Sequence, residues 1–116
     1  MSAITDILIG IVFASFGQLF FKIGTNNTGE LSLSNILQFL NVFIIIGLIF
    51  YALGSIFWIV ALSKADLSFV YPFTAVTFVV VYILSFFLLK EPFHLNRLVG
   101  TGIIIIGVCI LFFFEK

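Results

Sequence analysis

Charge is scarce in this sequence. Asp, Glu, Lys and Arg make up 9% of its 116 residues, and mean hydropathy is +1.37. A soluble domain carries about 25% charged residues, so the chain cannot clothe a water-facing surface and reads as an integral membrane protein. Five basic and five acidic residues cancel, which excludes the basic footprint of a nucleic-acid binder. The single cysteine, Cys109, lies inside an apolar run, which excludes an intrachain disulfide and argues against a metal site. His94 is a lone histidine without visible catalytic or metal-binding partners. No nucleophile–base pair and no phosphate loop is present, so neither an enzyme nor a cofactor is expected. The first apolar run follows MSAITD, without Lys or Arg. A signal peptide has a basic start and a small-residue cleavage site, so the run is read as a retained helix.

What is abundant is apolar length. Four runs, at about residues 4–23, 36–62, 67–89 and 98–114, each approach the roughly 20 helical residues that cross a bilayer. They do not alternate as barrel strands do. The expected fold is an all-α membrane protein, one domain of four transmembrane helices over residues 1–116. Its linkers leave no room for a soluble domain, and Ser34 is a candidate cap for the second helix. Pro72 is expected in the first turn of the third span, where it is tolerated. Residues 71–107 form the organising hairpin, two apolar helices joined by the hinge KEPFHLNR, in which Pro92 favours an extended Glu91. An even number of spans places Lys64 and Lys116 on one face and Lys22, Lys90 and Arg97 on the other. This weak positive-inside bias is compatible with insertion both ways and an antiparallel dimer.

Residues three, four and seven apart share a helix face. On the first helix Ser15, Gln18 and Lys22 form a polar stripe, with Gly10, Gly17 and Gly24 on roughly the opposite side. Gly47, Tyr51, Gly54, Ser55 and Trp58 share a face of the second helix, and Tyr71, Thr74, Phe78, Tyr82 and Ser85 one of the third. On the fourth, Gly100 and Gly107 are seven apart. Such glycines let helices approach closely in lipid, where no hydrophobic drive joins them, so Gly100 and Gly107 are candidates for helix or dimer packing. The polar stripes have two readings. They converge on a cavity lined by Ser15, Gln18, Tyr51, Trp58, Tyr71, Thr74 and Tyr82, or they are interhelical hydrogen bonds and interfacial aromatics. Asp6, Glu30, Asp66, Glu91 and Glu115 all fall at span ends or in linkers, so no intramembrane carboxylate is expected. Lys22 either snorkels to lipid phosphate or binds an anionic headgroup. Glu91, near Lys90 and Arg97, reads as a hinge ion pair of little energetic weight.

The run LLKEPFHLNRLVGTGIIIIGVCIL resembles the end of a drug/metabolite transporter repeat. A Glu in the turn, Glu91, precedes a helix bearing Gly100 and closing on Gly107-Val108. Gly17-Gln18-Leu19 with Lys22, and Tyr71-Pro72, agree. The chain is similar to EamA-like four-helix members, most of all to the subunits that flip aminoarabinose-phosphoundecaprenol. That resemblance implies transport of a lipid-linked sugar in a bacterial or archaeal cytoplasmic membrane, as a homodimer or a heterodimer with a similar small subunit. Gln18, Tyr51, Tyr71 and Thr74 would bond the headgroup, while Lys22, with Arg97 or Lys90, would meet its phosphate. The small multidrug resistance exporters are similar in layout. Their first-helix Glu falls at Ala14 here, and the Trp of their third helix at Thr74, which weakens an alternative reading as a small-molecule exporter. A third reading is a non-transporting subunit of a membrane complex.

Overall fold

The computed structural model describes residues 2–28 and 32–113. Four helices are long and apolar enough to span a membrane: α1 (Ala3–Thr28), α2 (Val42–Leu62), α3 (Leu67–Phe87) and α4 (Leu95–Phe113). The chain is an all-α membrane protein, as its composition requires. Phe114, expected to end the fourth span, and Glu30, Glu115 and Lys116, used in placing the charges, lie outside the described residues.

The boundaries depart from expectation where polar side chains serve the backbone. α1 continues past residue 23 to Thr28, and in this added stretch the Thr25 hydroxyl donates to Lys22 O (3.0 Å) and the Thr28 hydroxyl to Thr25 O (3.3 Å). The second span starts at Val42 rather than residue 36, and its cap is Asn41 rather than Ser34: Asn41 Oδ1 accepts from Ile44 N–H at 3.0 Å. Leu33–Leu40 instead forms a 3₁₀ helix. Polar residues recur every third position from Ser32 to Asn41 in the sequence, the repeat of a 3₁₀ turn and not of an α-helix. In the third span Pro72 lies beyond the first turn, Leu67–Val70. There the backbone tightens into a 3₁₀ turn at Tyr71–Phe73, because proline offers no N–H to the helical ladder. α4 begins at Leu95, three residues early, with Leu98 N–H donating to His94 O (3.2 Å).

α1 and α2 pack antiparallel through facing glycines. A Cβ added at Gly17 would stand 3.0 Å from Gly47 O and 3.3 Å from Tyr51 N. One at Gly54 would stand 3.0 Å from Gly10 O and 3.2 Å from Ala14 N. These are backbone atoms, so no rotamer change relieves the contact. Phenylalanines stack beside this seam: Phe13 on Phe57 with ring centroids 5.9 Å apart, and Phe20 on Phe50 at 5.5 Å. Asn41 Nδ2 closes it by donating to Gly24 O (3.2 Å).

α3 packs on the other side of α1, and α4 packs mainly on α3. Among the described residues, nothing lies within 4 Å of a Cβ added at Gly100, Gly102 or Gly107, so α4 presents these small residues to open space there. The tightest core gathers at the face where α1 begins: Ile7, Ile11, Ala61, Val70 and Phe73. Asp6 is fully buried beside it. Its Oδ2 lies 2.7 Å from Lys64 Nζ, the one ion pair among the described residues. Asp6, expected as an end residue, is thus a buried carboxylate, and its Oδ1 has no hydrogen-bond partner among the described residues.

Two expectations follow. Gly17→Ala forces the α1 and α2 backbones apart and lowers stability in detergent by about 1–3 kcal/mol, the usual cost of overpacking, whereas Gly100→Ala leaves the melting temperature of the single chain unchanged. Lys64→Met strands a buried carboxylate. Removing one partner of a fully buried pair costs about 3–5 kcal/mol. Lys64 keeps 34% side-chain exposure, so the expected loss is about 2 kcal/mol, and restoring neutrality with Asp6→Asn in the same chain should recover part of it.

Candidate functional site

α4 stands off from α1. Three hollows lie among the helices, and Gln18 lines all of them. Its carboxamide has no hydrogen-bond partner among the described residues and is exposed to the hollows. The largest, about 590 Å³, lies between α3 and α4 and is walled by Thr77, Tyr82, Ser85, Glu91, Arg97 and Thr101, with Gly100 at its floor. The second, about 390 Å³, runs between α1, α2 and α3, with Tyr51, Ser55, Trp58, Tyr71 and Thr74. The third, about 200 Å³, holds Ser15, Lys22, Ser85 and Glu91.

The structure therefore brings each of the ten polar and aromatic candidates to a wall of one hollow or another. They do not form a single small cavity, as the converging stripes suggested. Ser15 and Lys22 meet Glu91, Tyr51 and Trp58 meet Tyr71 and Thr74, and Tyr82 and Arg97 meet Glu91 again. Gly107 lies outside all three hollows.

Several of these side chains are already committed. The Tyr82 hydroxyl donates to His94 O (3.3 Å), tying α3 to the entry of α4. The Thr74 hydroxyl donates to Tyr71 O (2.8 Å) and supports the 3₁₀ turn at Pro72. Ser55 donates to Tyr51 O (3.0 Å). Trp58 and Tyr71 meet edge to face, centroids 6.3 Å apart. Ser15 is fully buried and its Oγ has no partner among the described residues. Lys22 and Arg97 are exposed, Glu91 is half-buried, and no two of them pair. The expected hinge ion pair at Glu91 is absent among the described residues. The reason is the turn geometry. Lys90 takes a left-handed backbone (φ 56°), costing about 1–2 kcal/mol for a residue with a Cβ. The Glu91 N–H then donates back to Ser85 O (3.1 Å). This places Glu91 among the walls of the hollows.

The outcome is a set of hollows with largely apolar walls, into which Lys22, Arg97 and Glu91 bring charge and Gln18 and the hydroxyl side chains bring neutral donors and acceptors. It can hold a molecule carrying both charges and hydroxyls. Among the described residues no group of His, Cys, Asp or Glu side chains could hold a metal. Thr77, Ser85 and Thr101 also line the walls. Thr77 follows Thr74 by three positions, so its place on that stripe was readable; Thr101 is marked only by its neighbour Gly100.

A family model, the EamA-like transporter family, matches residues 1–113. The chain belongs to the EamA-like transporter family. Among curated members and relatives, the "Probable 4-amino-4-deoxy-L-arabinose-phosphoundecaprenol flippase subunit ArnF" of Erwinia tasmaniensis is 32% identical over 68 residues, 57% of this chain and 54% of that protein. ArnF of Shewanella sediminis, described by the same name, is 38% identical over 72 residues, 60% of this chain and 48% of the relative. The corresponding subunit ArnE of Hamiltonella defensa is 29% identical over 106 residues, 90% and 92% of the two chains. The match thus spans about half the length of each ArnF protein. No solved structure matches this EamA-like chain.

Tyr82→Phe removes the bond to the His94 carbonyl while keeping the ring. The expected cost is about 1 kcal/mol, seen as faster amide exchange around residues 91–98 with α1 and α2 unchanged.

Proposed function

We propose that this multi-pass membrane transporter moves a polyprenyl-phosphate-linked sugar, of the aminoarabinose-phosphoundecaprenol kind, across a bacterial or archaeal cytoplasmic membrane. The observation that carries the reading is the placement of Lys22 and Glu91, unpaired and opposite in sign, on one hollow that leads to Gln18. A lipid-linked amino sugar presents a matching pair, an anionic phosphate and a cationic amine. Names of the relatives point to the same substrate class.

The roles follow from chemistry. Lys22 takes the phosphate as a point charge, with Arg97 available for a forked contact. Glu91 takes the amine. Gln18, Tyr51, Tyr71 and Thr74 bond the sugar hydroxyls, with Ser15 behind Gln18, and the Trp58 ring offers an apolar face to the sugar. Tyr82 shapes the wall through its bond to the hinge. The prenyl tail stays in lipid beside α4, whose residues are all at least partly exposed. The four helices act as one domain, no cofactor takes part, and a second copy or a similar small subunit supplies the missing wall along Gly100 and Gly107.

The test is a reconstitution. Purified protein in vesicles containing a short-chain prenyl-phosphate amino sugar should expose headgroup on the far leaflet saturably. Lys22→Gln should slow this about tenfold or more, the loss of a charge-assisted contact of about 1.5–3 kcal/mol. Glu91→Gln should slow the amino sugar while leaving a neutral sugar unaffected. No movement of any headgroup, alone or with a co-purified small subunit, would sink the proposal.

A further inference from the structure

Between α1 and α2 the chain does something a simple loop would not. Leu33–Leu40 winds into an eight-residue 3₁₀ helix, longer than the three or four residues such helices usually reach. Leu33, Leu37 and Leu40 are 87%, 78% and 69% exposed, and Ile36 is 47% exposed. No Asp, Glu, Lys or Arg occurs from Ser32 to Ser63.

The depth of this segment is fixed at one end. Asn41 caps α2 and also donates to Gly24 O, so the segment ends level with Gly24 and not at the tip of α1. α2 has 21 residues, about 32 Å at 1.5 Å per residue, close to the roughly 30 Å of a hydrocarbon core. Val42 therefore stands at the edge of that core, and Leu33–Leu40 lies just outside it. α1, with 26 residues, is about 39 Å long, and its last turn reaches beyond the same edge. The exposed leucines run on into Val42 and Ile45 of α2, themselves 61% and 42% exposed, so the apolar surface is continuous with the lipid-facing surface of a span.

We infer that Leu33–Leu40 lies in the bilayer interface, its leucines dipping into the acyl boundary on the membrane face where Lys22 and Glu91 open. The occupant of its apolar face is lipid. A segment without charge gains nothing from anionic headgroups, so its insertion depends on apolar area alone. Its consequence is to hold the entrance of the polar hollows at the level of the lipid phosphates. The inference rests on the chain spanning the membrane and stands apart from the choice of substrate.

The experiment places a tryptophan at Leu37 in the full chain, with Trp58→Phe to remove the native signal, in vesicles of lipid brominated either near the headgroup or at the chain end. An apolar face buried about 5–10 Å below the headgroups predicts quenching about twofold stronger from the shallow bromines than from the deep ones, little quenching by aqueous iodide, and the same result in neutral and anionic lipid. A second position, Leu40→Trp, should behave alike if Leu37→Trp does not fold. Iodide quenching without bromine quenching would mean a water-exposed loop, quenching by neither would mean a protein cover such as a second copy, and dependence on anionic lipid would mean an electrostatic contact. Each of these overturns the inference.

Discussion

The close approach of α1 to α2 is the constraint on which the remaining structure depends. In lipid an apolar side chain gains little by turning from solvent to neighbour, so helices associate through backbone proximity and shape. Glycines at 10 and 17 face glycines at 54 and 47; as the position rises by seven on one helix it falls by seven on the other. That register sets the antiparallel pair and brings Asn41 to the Gly24 carbonyl. It also turns Ser15, Gln18 and Lys22 away from α2 and toward α3. The polar stripe of α1 is thus left to the hollows because the glycine stripe has already claimed the opposite side.

The two ends of the bundle are built differently. Where α1 begins, α2 ends and α3 begins, Ile7, Ile11, Ala61, Val70 and Phe73 pack tightly beside the Asp6–Lys64 pair. At the other end the described residues form no such core. Lys22, Glu91 and Arg97 stand apart around open space, and the connection of α3 to α4 rests on a strained Lys90 turn and the Tyr82–His94 bond. Ion pairing at the closed end and unpaired charge at the open end are the electrostatic counterparts of this packing difference.

Much of this was legible in the sequence, and the misses share a cause. Span count and type followed from apolar length, and the stripes on α1 from helical spacing. What spacing does not carry is which polar groups the backbone will use. Thr25, Thr28, Asn41 and Thr74 all bond main-chain atoms, and each moved a boundary or committed a hydroxyl expected to be free. The buried state of Asp6 was hidden because its partner is 58 positions away. Gly100 and Gly107 read like the glycines of α1 and α2, yet among the described residues no neighbour closes on them, since a repeat of small residues does not name its partner.

The α1–α2 seam has a mechanical consequence. Each glycine notch is flanked by an aromatic residue of the partner helix: Tyr51 lies against Gly17, Phe21 against Gly47, Phe57 against Gly10 and Phe13 against Gly54, Phe21 through its ring and the others through Cβ. Notches and teeth alternate along both helices like two meshed racks. A slide of less than a full repeat would bring a Cβ-bearing residue to where the helices meet backbone to backbone, so close packing opposes creep by small steps. The pair is the frame of the molecule. α3 and α4, by contrast, have no glycine seam of this kind with α1 or α2 among the described residues.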